Sequence, residues 1–223
     1  MTSLLPDIDP DGLLEYSVVF TDRSLNHMSQ TFQQVMKDIS SNLKEVYNAA
    51  AVVVVPGGGT YGMESVARQF ATGRKCLVIR NGFFSFRWSQ IIDMGSLTDE
   101  TTVMLARQSA AGPQAPFAPP AIEDVTAMIR SEKPDVVFAP HVDTSSGIIL
   151  PDEYLRAVAD AVHQHGGLFV LDCVASGCVW VDMKASGVDV LITAPQKGWS
   201  SSPCGALVML GENALVRVGE TTS

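Results

Sequence analysis

The sequence has no apolar stretch that reaches the roughly 18 residues needed for a membrane-spanning helix. It is also poor in positive charge, with 15 lysines and arginines against 24 aspartates and glutamates and a net charge of −9. Surfaces that bind nucleic acid or anionic membranes are normally basic, so we expect neither partner. At 223 residues, of which 46% are hydrophobic, the chain can bury a full sheet core, and a small molecule is the expected ligand.

Cysteine pairs of the C-x-x-C type are absent as well. Three of the four cysteines lie in or beside apolar runs; the four are Cys76, Cys173, Cys178 and Cys204. This pattern is typical of buried free thiols in a reducing compartment and does not indicate a metal site. The first twelve residues contain acids and prolines in place of the basic and then apolar segments of a signal peptide. These features predict a soluble, cytoplasmic protein.

Short apolar runs alternate with segments of helical periodicity along most of the chain. The runs are Ala51–Val55, Cys76–Arg80, Thr102–Ala106, Asp135–Ala139, Leu168–Leu171, Val188–Thr193 and Ala206–Leu210. Strands that are apolar throughout and separated by helices are typical of a mostly parallel sheet covered on both faces. We therefore predict an α/β domain with a seven-stranded sheet, which binds ligands at the carboxyl ends of its strands.

The two ends of the chain differ from this alternating part. Residues 1–28 are polar and irregular and are predicted to form an arm, with one short extended piece at Tyr16 to Phe20. Residues 29–215 are predicted to form the large domain. Residues 216–223 begin a segment that stops without a closing element, so we expect the chain to be part of a longer protein.

Lys197 lies where a buried apolar run gives way to a loop rich in serine, proline and glycine. An ammonium in buried surroundings loses charge and becomes a nucleophilic amine. Taken alone, the pattern favours a surface lysine that closes a strand. Features upstream in the chain support the chemical interpretation.

The glycine-rich stretch from Pro56 to Gly62 lies between a predicted strand and a predicted helix. Glycines allow an anion to approach the backbone closely, and the helix N-terminus favours a phosphate. The letters also fit G-x-G-x-x-G, the dinucleotide fingerprint. That fingerprint requires an acid at the end of the next strand, where this sequence has Arg80, Asn81 and Gly82. A single phosphate fits at least as well as a dinucleotide.

Asp172 ends the apolar run that begins at Leu168. A buried carboxylate requires a positive partner, which a protonated pyridine nitrogen would supply. The alternative role is an acid that caps the turn after the strand. The order of features is a phosphate loop, then Asp172, then Lys197 twenty-five positions later.

This order resembles the large domain of fold-type I pyridoxal phosphate enzymes, specifically the class V aminotransferases of the alanine–glyoxylate and serine–pyruvate kind. The resemblance extends from about His27 to the end of the chain. It is carried by Gly58-Gly59-Thr60, by Asn81-Gly82-Phe83-Phe84-Ser85-Phe86-Arg87, by His141-Val142-Asp143-Thr144-Ser145-Ser146-Gly147, by Asp172-Cys173-Val174-Ala175-Ser176 and by Gln196-Lys197-Gly198. Asp143 stands where that family usually has a glutamate.

The resemblance implies pyridoxal 5'-phosphate as the cofactor and gives each matched residue a role. The glycines and hydroxyl at Gly58, Gly59 and Thr60 would hold the phosphate, with Gln196 nearby. Phe84 and Val174 would cover the two faces of the ring, and Thr144 would contact the cofactor. Asp172 would pair with the pyridinium, and Lys197 would hold the aldehyde as a Schiff base and transfer protons. Asp172 and Lys197 would thus be the catalytic residues.

The implied reaction moves an amino group from a small amino acid of the alanine or serine type to a 2-oxo acid such as glyoxylate or pyruvate. The resemblance also implies a homodimer. It places the arginine for the substrate carboxylate, and the phosphate contacts from a partner subunit, beyond Ser223. A cysteine desulfurase is the nearest alternative, although it usually has histidines where this chain has Phe84 and Gln196. A nucleotide-binding or catalytically silent interaction domain is the alternative from another class.

Overall fold

The structure, a computed structural model of the chain, describes residues 27–220 and the backbone of one short antiparallel pair, Leu14–Glu15 with Ser24–Leu25. The extended piece predicted at Tyr16 to Phe20 lies outside the described residues. In the described part of the chain, no helix is long and apolar enough to cross a membrane.

A seven-stranded sheet forms the centre of the fold. In chain order its strands are β1 Ala51–Pro56, β2 Cys76–Arg80, β3 Thr101–Leu105, β4 Val136–Pro140, β5 Leu168–Asp172, β6 Val190–Thr193 and β7 Gly205–Leu210. The spatial order is β1-β7-β6-β5-β4-β2-β3. Only β7 runs antiparallel to its neighbours, so the other six strands end at the same edge. This mostly parallel sheet confirms the fold class predicted from the sequence.

In the described part of the chain, seven helices cover the two faces of the sheet. They are α1 Gln30–Tyr47, α2 Gly59–Ala71, α3 Phe86–Met94, α4 Ile122–Glu132, α5 Asp152–His163, α6 Met183–Ser186 and α7 Glu212–Glu220. Buried side chains of α1, α4, α5 and α6 pack on one face, and those of α2, α3 and α7 on the other. Successive side chains of a strand point to opposite faces of the sheet. Because helices cover both faces, every residue of β4 and β5 is buried.

Local signals explain where the first helix begins and ends. The hydroxyl of Ser29 accepts a hydrogen bond from the backbone N–H of Phe32 at 3.1 Å, and this caps the first turn of α1. Asn48 ends the helix in the left-handed conformation, with φ of 54°. The apolar residues between Ser29 and Tyr47 recur at three- and four-residue steps, and this periodicity predicts the same helix from the sequence.

Several local predictions need correction. The periodicity of the sequence predicts a helix from Tyr61 to Thr72, but α2 begins earlier, at Gly59, because glycines do not prevent a first helical turn. Residues 110–120 are rich in alanine and proline, which predicts a loop, but within them Phe117–Ala118 pairs as a short strand with Arg107–Gln108. The four-residue helix α6 is too short for periodicity to reveal. The predicted domain bounds stay a prediction; α7 extends across residue 215.

All four cysteines are free, but their burial was only partly predicted. Cys76 and Cys173 are buried, whereas Cys178 and Cys204 are exposed in loops. Burial raises the pKa of the Cys76 thiol to about 12, so that thiol stays protonated.

Candidate functional site

The predicted site residues meet at the edge where the six parallel strands end. They lie at the last residue of β5, at the start of α2 after β1, and in the loops that follow β2, β4, β5 and β6. They surround a cavity of about 390 Å³, whose lining includes Gly59, Thr60, Phe84, Thr144, Asp172, Val174, Gln196 and Lys197. Gly58 does not line the cavity but is the residue that caps helix α2 beside it. Lining residues that are up to 138 positions apart in the chain are thus brought together (197 − 59 = 138).

The N-terminus of α2 opens toward this cavity without a capping side chain. Gly58 is extended and makes no side-chain cap, and the backbone N–H groups of Gly59 and Thr60 have no acceptor among the described residues. Gly59 is packed so closely that an added Cβ would lie 2.9 Å from Cγ2 of Val174. Free N–H groups at a helix N-terminus form an anion-binding site.

Asp172 brings a buried carboxylate to the cavity. It is only 6% exposed and accepts a single hydrogen bond, from the backbone N–H of Val174 at 2.9 Å. The pKa of Asp172 is raised to about 6: burial raises it most, the bond from Val174 lowers it, and the nearby Asp143 raises it. Among the described residues, Asp172 has no ion-pair partner. The cavity therefore presents a buried carboxylate with no described cation within ion-pair distance.

Lys197 lies on the wall of the same cavity but is exposed. The expectation that it would sit in buried surroundings is therefore wrong. Both the apolar run and β6 end at Thr193, and the lysine follows four residues later (197 − 193 = 4) in a loop, beyond the buried part of the strand. Its amine is accessible to a ligand in the cavity.

An aromatic cluster holds the loop that carries the lysine. The ring of Trp199 lies 4.8 Å from that of Trp180 and 6.2 Å from that of Tyr47, between ring centroids. The backbone of Gly198 also passes so close to Gly177 that a side chain on Gly198 would collide with its carbonyl. These contacts connect the loop after β6 to the loop after β5 and to helix α1.

His141 connects two further loops of the site. Its Nδ1 lies 2.7 Å from Oγ of Ser176, and both residues are buried. Burial lowers the pKa of His141, so the imidazole is neutral at pH 7. The backbone N–H of His141 donates to the carbonyl of Asp172 at 2.8 Å, which joins the ends of β4 and β5.

Arg87 is a cavity residue to which the sequence gave no role. It lies in the first turn of α3, and its Nε is buried without a hydrogen-bond partner in the described part of the chain. The only signal was its position at the end of the Asn81–Arg87 stretch. The cavity is also lined by Met63, Val142, Ala175 and Gly177. In residues 27–220, no group of three or more His, Cys, Asp or Glu side chains could hold a metal ion.

The same fold occurs in a solved structure of an alanine–glyoxylate aminotransferase from Nostoc sp. The TM-score is 0.75 at 22% identity, over 89% of this chain and 50% of that one. The fold is thus that of the fold-type I pyridoxal phosphate-dependent transferases. The sequence profile of the class-V aminotransferases matches residues 13–219, so the chain belongs to that family.

Two curated relatives show how far the similarity reaches. One, from Synechococcus sp., is named soluble hydrogenase, small subunit; it is 30% identical over 85% of this chain and 48% of its own length. The other is the L-aspartate–glyoxylate aminotransferase of Paracoccus denitrificans, 29% identical over 87% of this chain and 48% of its own. The chain spans about half the length of these relatives.

Class-V aminotransferases depend on pyridoxal 5'-phosphate, and the cavity fits this group. The anionic Asp172 matches a pyridinium, and the open N-terminus of α2 matches a phosphate. Two buried polar atoms at the cavity, Nε of Arg87 and Oε1 of Gln196, have no partner among the described residues. Buried polar groups are normally hydrogen-bonded, so these atoms indicate a polar ligand.

Proposed function

We propose that this chain is the cofactor-binding part of a pyridoxal phosphate-dependent aminotransferase. The observation that carries the proposal is the buried carboxylate of Asp172, which has no cation of its own and shares a cavity with an accessible lysine amine. A pyridinium ring would supply the missing cation, and the amine of Lys197 would supply the covalent anchor.

Each wall of the cavity has a role in holding the cofactor. Gly58, Gly59 and Thr60 would bind its phosphate through the backbone N–H groups of α2, and Gln196 would contribute a side-chain amide. Phe84 and Val174 would pack on the ring faces. The hydroxyl of Thr144 would donate or accept a hydrogen bond at the ring edge.

The bound cofactor would supply an aldehyde for covalent attachment and a cationic ring that withdraws electrons from the substrate. Asp172 would keep the ring nitrogen protonated, because an ionised carboxylate favours a nearby cation. With the substrate bound, the free Nζ of Lys197 would act as general base and then as general acid, taking a proton from the substrate α-carbon and giving it to the cofactor carbon that had carried the aldehyde. Both roles require that the side chains reach the cavity, as they do.

We propose glyoxylate or pyruvate as the acceptor and a small amino acid of the alanine or serine type as the donor. Support comes from the names of relatives, which include alanine–glyoxylate and serine–glyoxylate aminotransferases. The cavity volume of about 390 Å³ is within the range of small-molecule sites.

We also propose that the protein is a cytoplasmic homodimer. The four free cysteines are consistent with a reducing compartment. Beside the site, Phe83, Leu105 and Phe117 are 59%, 48% and 46% exposed and line a common groove. An exposed apolar patch of this kind is typical of a subunit interface.

The proposal is tested by incubating the purified chain with pyridoxal phosphate, reducing it with borohydride and mapping the adduct by mass spectrometry. We expect a visible absorbance band and an adduct on Lys197. Lys197→Ala should lose both signals and keep its melting temperature. Lys37→Ala, at an exposed position on α1, is the matched control and should keep both. An adduct distributed equally over surface lysines would refute the proposal.

A further inference from the structure

Asp143 is a buried carboxylate that the proposed chemistry does not use. Its side chain is fully buried, and among the described residues it has no ion-pair partner. It ends the short strand Val142–Asp143, immediately before Thr144. A charge in this position is costly unless hydrogen bonds replace its water.

Two serines provide those hydrogen bonds. Oδ2 of Asp143 accepts from the backbone N–H of Ser85 at 2.9 Å and from its hydroxyl at 2.7 Å. Oδ1 accepts from the hydroxyl of Ser145 at 2.6 Å and from its backbone N–H at 3.3 Å. Burial would raise the pKa of Asp143, but the bonds from Ser145 and Ser85 outweigh it, so the pKa lies below its ordinary value. The group is therefore a carboxylate at neutral pH.

The hydroxyls of the same two serines also accept hydrogen bonds from the backbone of the loop that carries Phe84. Oγ of Ser85 accepts from the backbone N–H groups of Asn81 and Gly82 at 2.8 and 3.0 Å. Oγ of Ser145 accepts from the backbone N–H of Phe83 at 2.7 Å. Around Phe84, the loop is thus held through its backbone.

Side-chain packing does not hold Phe84 in the same way. Its ring is 46% exposed, and the aromatic ring it meets is that of Phe83, at 5.7 Å and close to perpendicular. Phe83 is itself 59% exposed. The position of the Phe84 ring therefore depends on the backbone bonds that end at Asp143.

Gly82 shows how closely the two loops approach. A Cβ on Gly82 would lie 2.6 Å from Oδ1 of Asp143 and would collide with Oγ of Ser145. Residues 58 and 62 positions apart in the chain are in contact here, so the arrangement is tertiary and not a local turn.

We propose that Asp143 is a positioning residue of the site: acting through Ser85 and Ser145, its carboxylate fixes where Phe84 and Thr144 meet the cofactor. The inference rests on the proposed function, since it presumes that a ring binds between these residues. Asp143 would touch neither cofactor nor substrate.

Asp143→Asn is the first test. An amide has one acceptor oxygen, so one of the two serine backbone N–H groups would face an NH₂ group and lose its bond. In the cofactor-free chain, amide hydrogen exchange at Gly82, Phe83 and Ser85 should accelerate about tenfold or more. With pyridoxal phosphate, the visible circular dichroism of the bound cofactor should weaken and its dissociation constant should rise about tenfold.

Asp189→Asn is the matched control. Asp189 is as deeply buried, at 3% exposed, and also accepts backbone and side-chain bonds, but it precedes β6 at the opposite end of the strand from Lys197. This variant should lose stability and leave both the loop exchange and the cofactor dichroism unchanged. A purely structural role for Asp143 predicts that the two variants behave alike, and that outcome would overturn the proposal.

A volume-matched pair gives an independent test that does not depend on the folding of Asp143→Asn. Glutamate adds one carbon, which extends the carboxylate by roughly 1.5 Å toward Oγ of Ser85. Asp143→Glu alone should therefore weaken the visible circular dichroism of the bound cofactor. In the double variant Asp143→Glu with Ser85→Ala, the Ser85 hydroxyl is removed, so the total number of heavy atoms equals that of the wild type. The longer carboxylate can then accept from Asn81 and Gly82 itself. Recovery toward the wild-type dichroism is expected, and no recovery would overturn the proposal.

The outcomes separate this inference from the proposed function. If the wild-type chain takes up no cofactor on Lys197, the proposed function fails and the positioning role fails with it. If the wild type binds normally while Asp143→Asn matches it in loop exchange and dichroism, only the positioning role is refuted.

Discussion

Two buried carboxylates lie close together at this site, and their hydrogen bonds give them opposite characters. Asp143 accepts four hydrogen bonds and has a lowered pKa. Asp172 accepts one, and burial raises its pKa to about 6. Asp143 is thus a satisfied charge that holds structure, whereas Asp172 is an unsatisfied charge that a cationic ligand would stabilise.

Asp172→Asn should separate stability from binding. A raised carboxyl pKa means that the folded chain binds the proton more tightly than the unfolded chain, so ionisation costs stability as pH rises from about 4 to above 6. At pH 7 the neutral asparagine should raise the free energy of unfolding by about 1–3 kcal/mol. It should also weaken cofactor binding, because the ring nitrogen loses its anion. Urea unfolding and an absorbance titration measure the two effects, and a less stable variant would contradict the assignment.

Individual site residues could be predicted from the sequence only where the type and position of a single side chain indicate a chemical role. Asp172 and Lys197 were identified because a charge beside an apolar run is unusual, and the structure places both at the cavity. Ser85 was not identified, because its bond to Asp143 joins residues 58 positions apart. The burial expected for Lys197 was wrong, because the strand ends at Thr193, where its apolar run ends, and the lysine lies four residues later (197 − 193 = 4) in an exposed loop.

At the scale of elements, the N-terminus of α2 decides whether a phosphate can bind. The helix begins at Gly59, and the residue at its N-cap, Gly58, has no side chain that could cap it. At position 59, glycine is needed because of space and not because of its backbone angle. Val174 packs against Gly59 so closely that only a hydrogen fits in place of a side chain.

Gly59→Ala and Gly58→Ala form a matched pair that tests whether the close packing of Val174 requires glycine at position 59. The new Cβ of Gly59→Ala would lie 2.9 Å from Val174, so the variant should lose about 1–3 kcal/mol of unfolding free energy and bind pyridoxal phosphate more weakly. Nothing lies within 4 Å of a Cβ at Gly58, whose backbone is extended, so Gly58→Ala should change stability by less than about 0.5 kcal/mol. Thermal unfolding and cofactor titration measure both; equal losses would mean that the close approach of Val174 is not limiting.

Elements with strong periodicity were predicted well, and the remainder depended on tertiary contacts. Helix α1 and strand β2 match their predicted bounds closely, because capping residues and continuous apolar runs mark their ends. The antiparallel direction of β7 could not be read from its sequence, since a buried strand is apolar in either direction. Helix α6 has one turn and leaves no periodic signal.

Across the whole molecule, the sheet differs between the edge where the parallel strands end and the edge where they begin. The edge where the parallel strands end carries the cavity, whereas the opposite edge is held together by Asp189. Its carboxylate accepts from the backbone N–H of Phe169 at 2.8 Å and from Nδ2 of Asn213 at 2.9 Å, and Nε2 of His163 lies 2.7 Å away. These bonds join β5, α5 and α7 before β6 begins.

His163 should make the stability of the whole chain depend on pH. Its hydrogen bond to Asp189 is the largest cause that raises the pKa of His163 above 6.5, and the charges of Asp189 and Asp160 add to it. A histidine with a raised folded pKa contributes stability that is fully present below its unfolded pKa, near 6.5, and is lost as pH rises through the folded pKa. The side chain is 31% exposed, so solvent limits this contribution to roughly 1 kcal/mol.

His163→Gln keeps a hydrogen-bond donor at this position but does not titrate. The free energy of unfolding should be measured in urea from pH 5.5 to 8.5 for both proteins, because the difference between them cancels the titration of Asp172 and the other shared groups. We expect the wild type to be more stable at pH 5.5 and this advantage to shrink above pH 6.5. A difference that stays constant with pH would show that the bond to Asp189 does not depend on the imidazolium charge, and a repeat at high salt should then leave it unchanged as well.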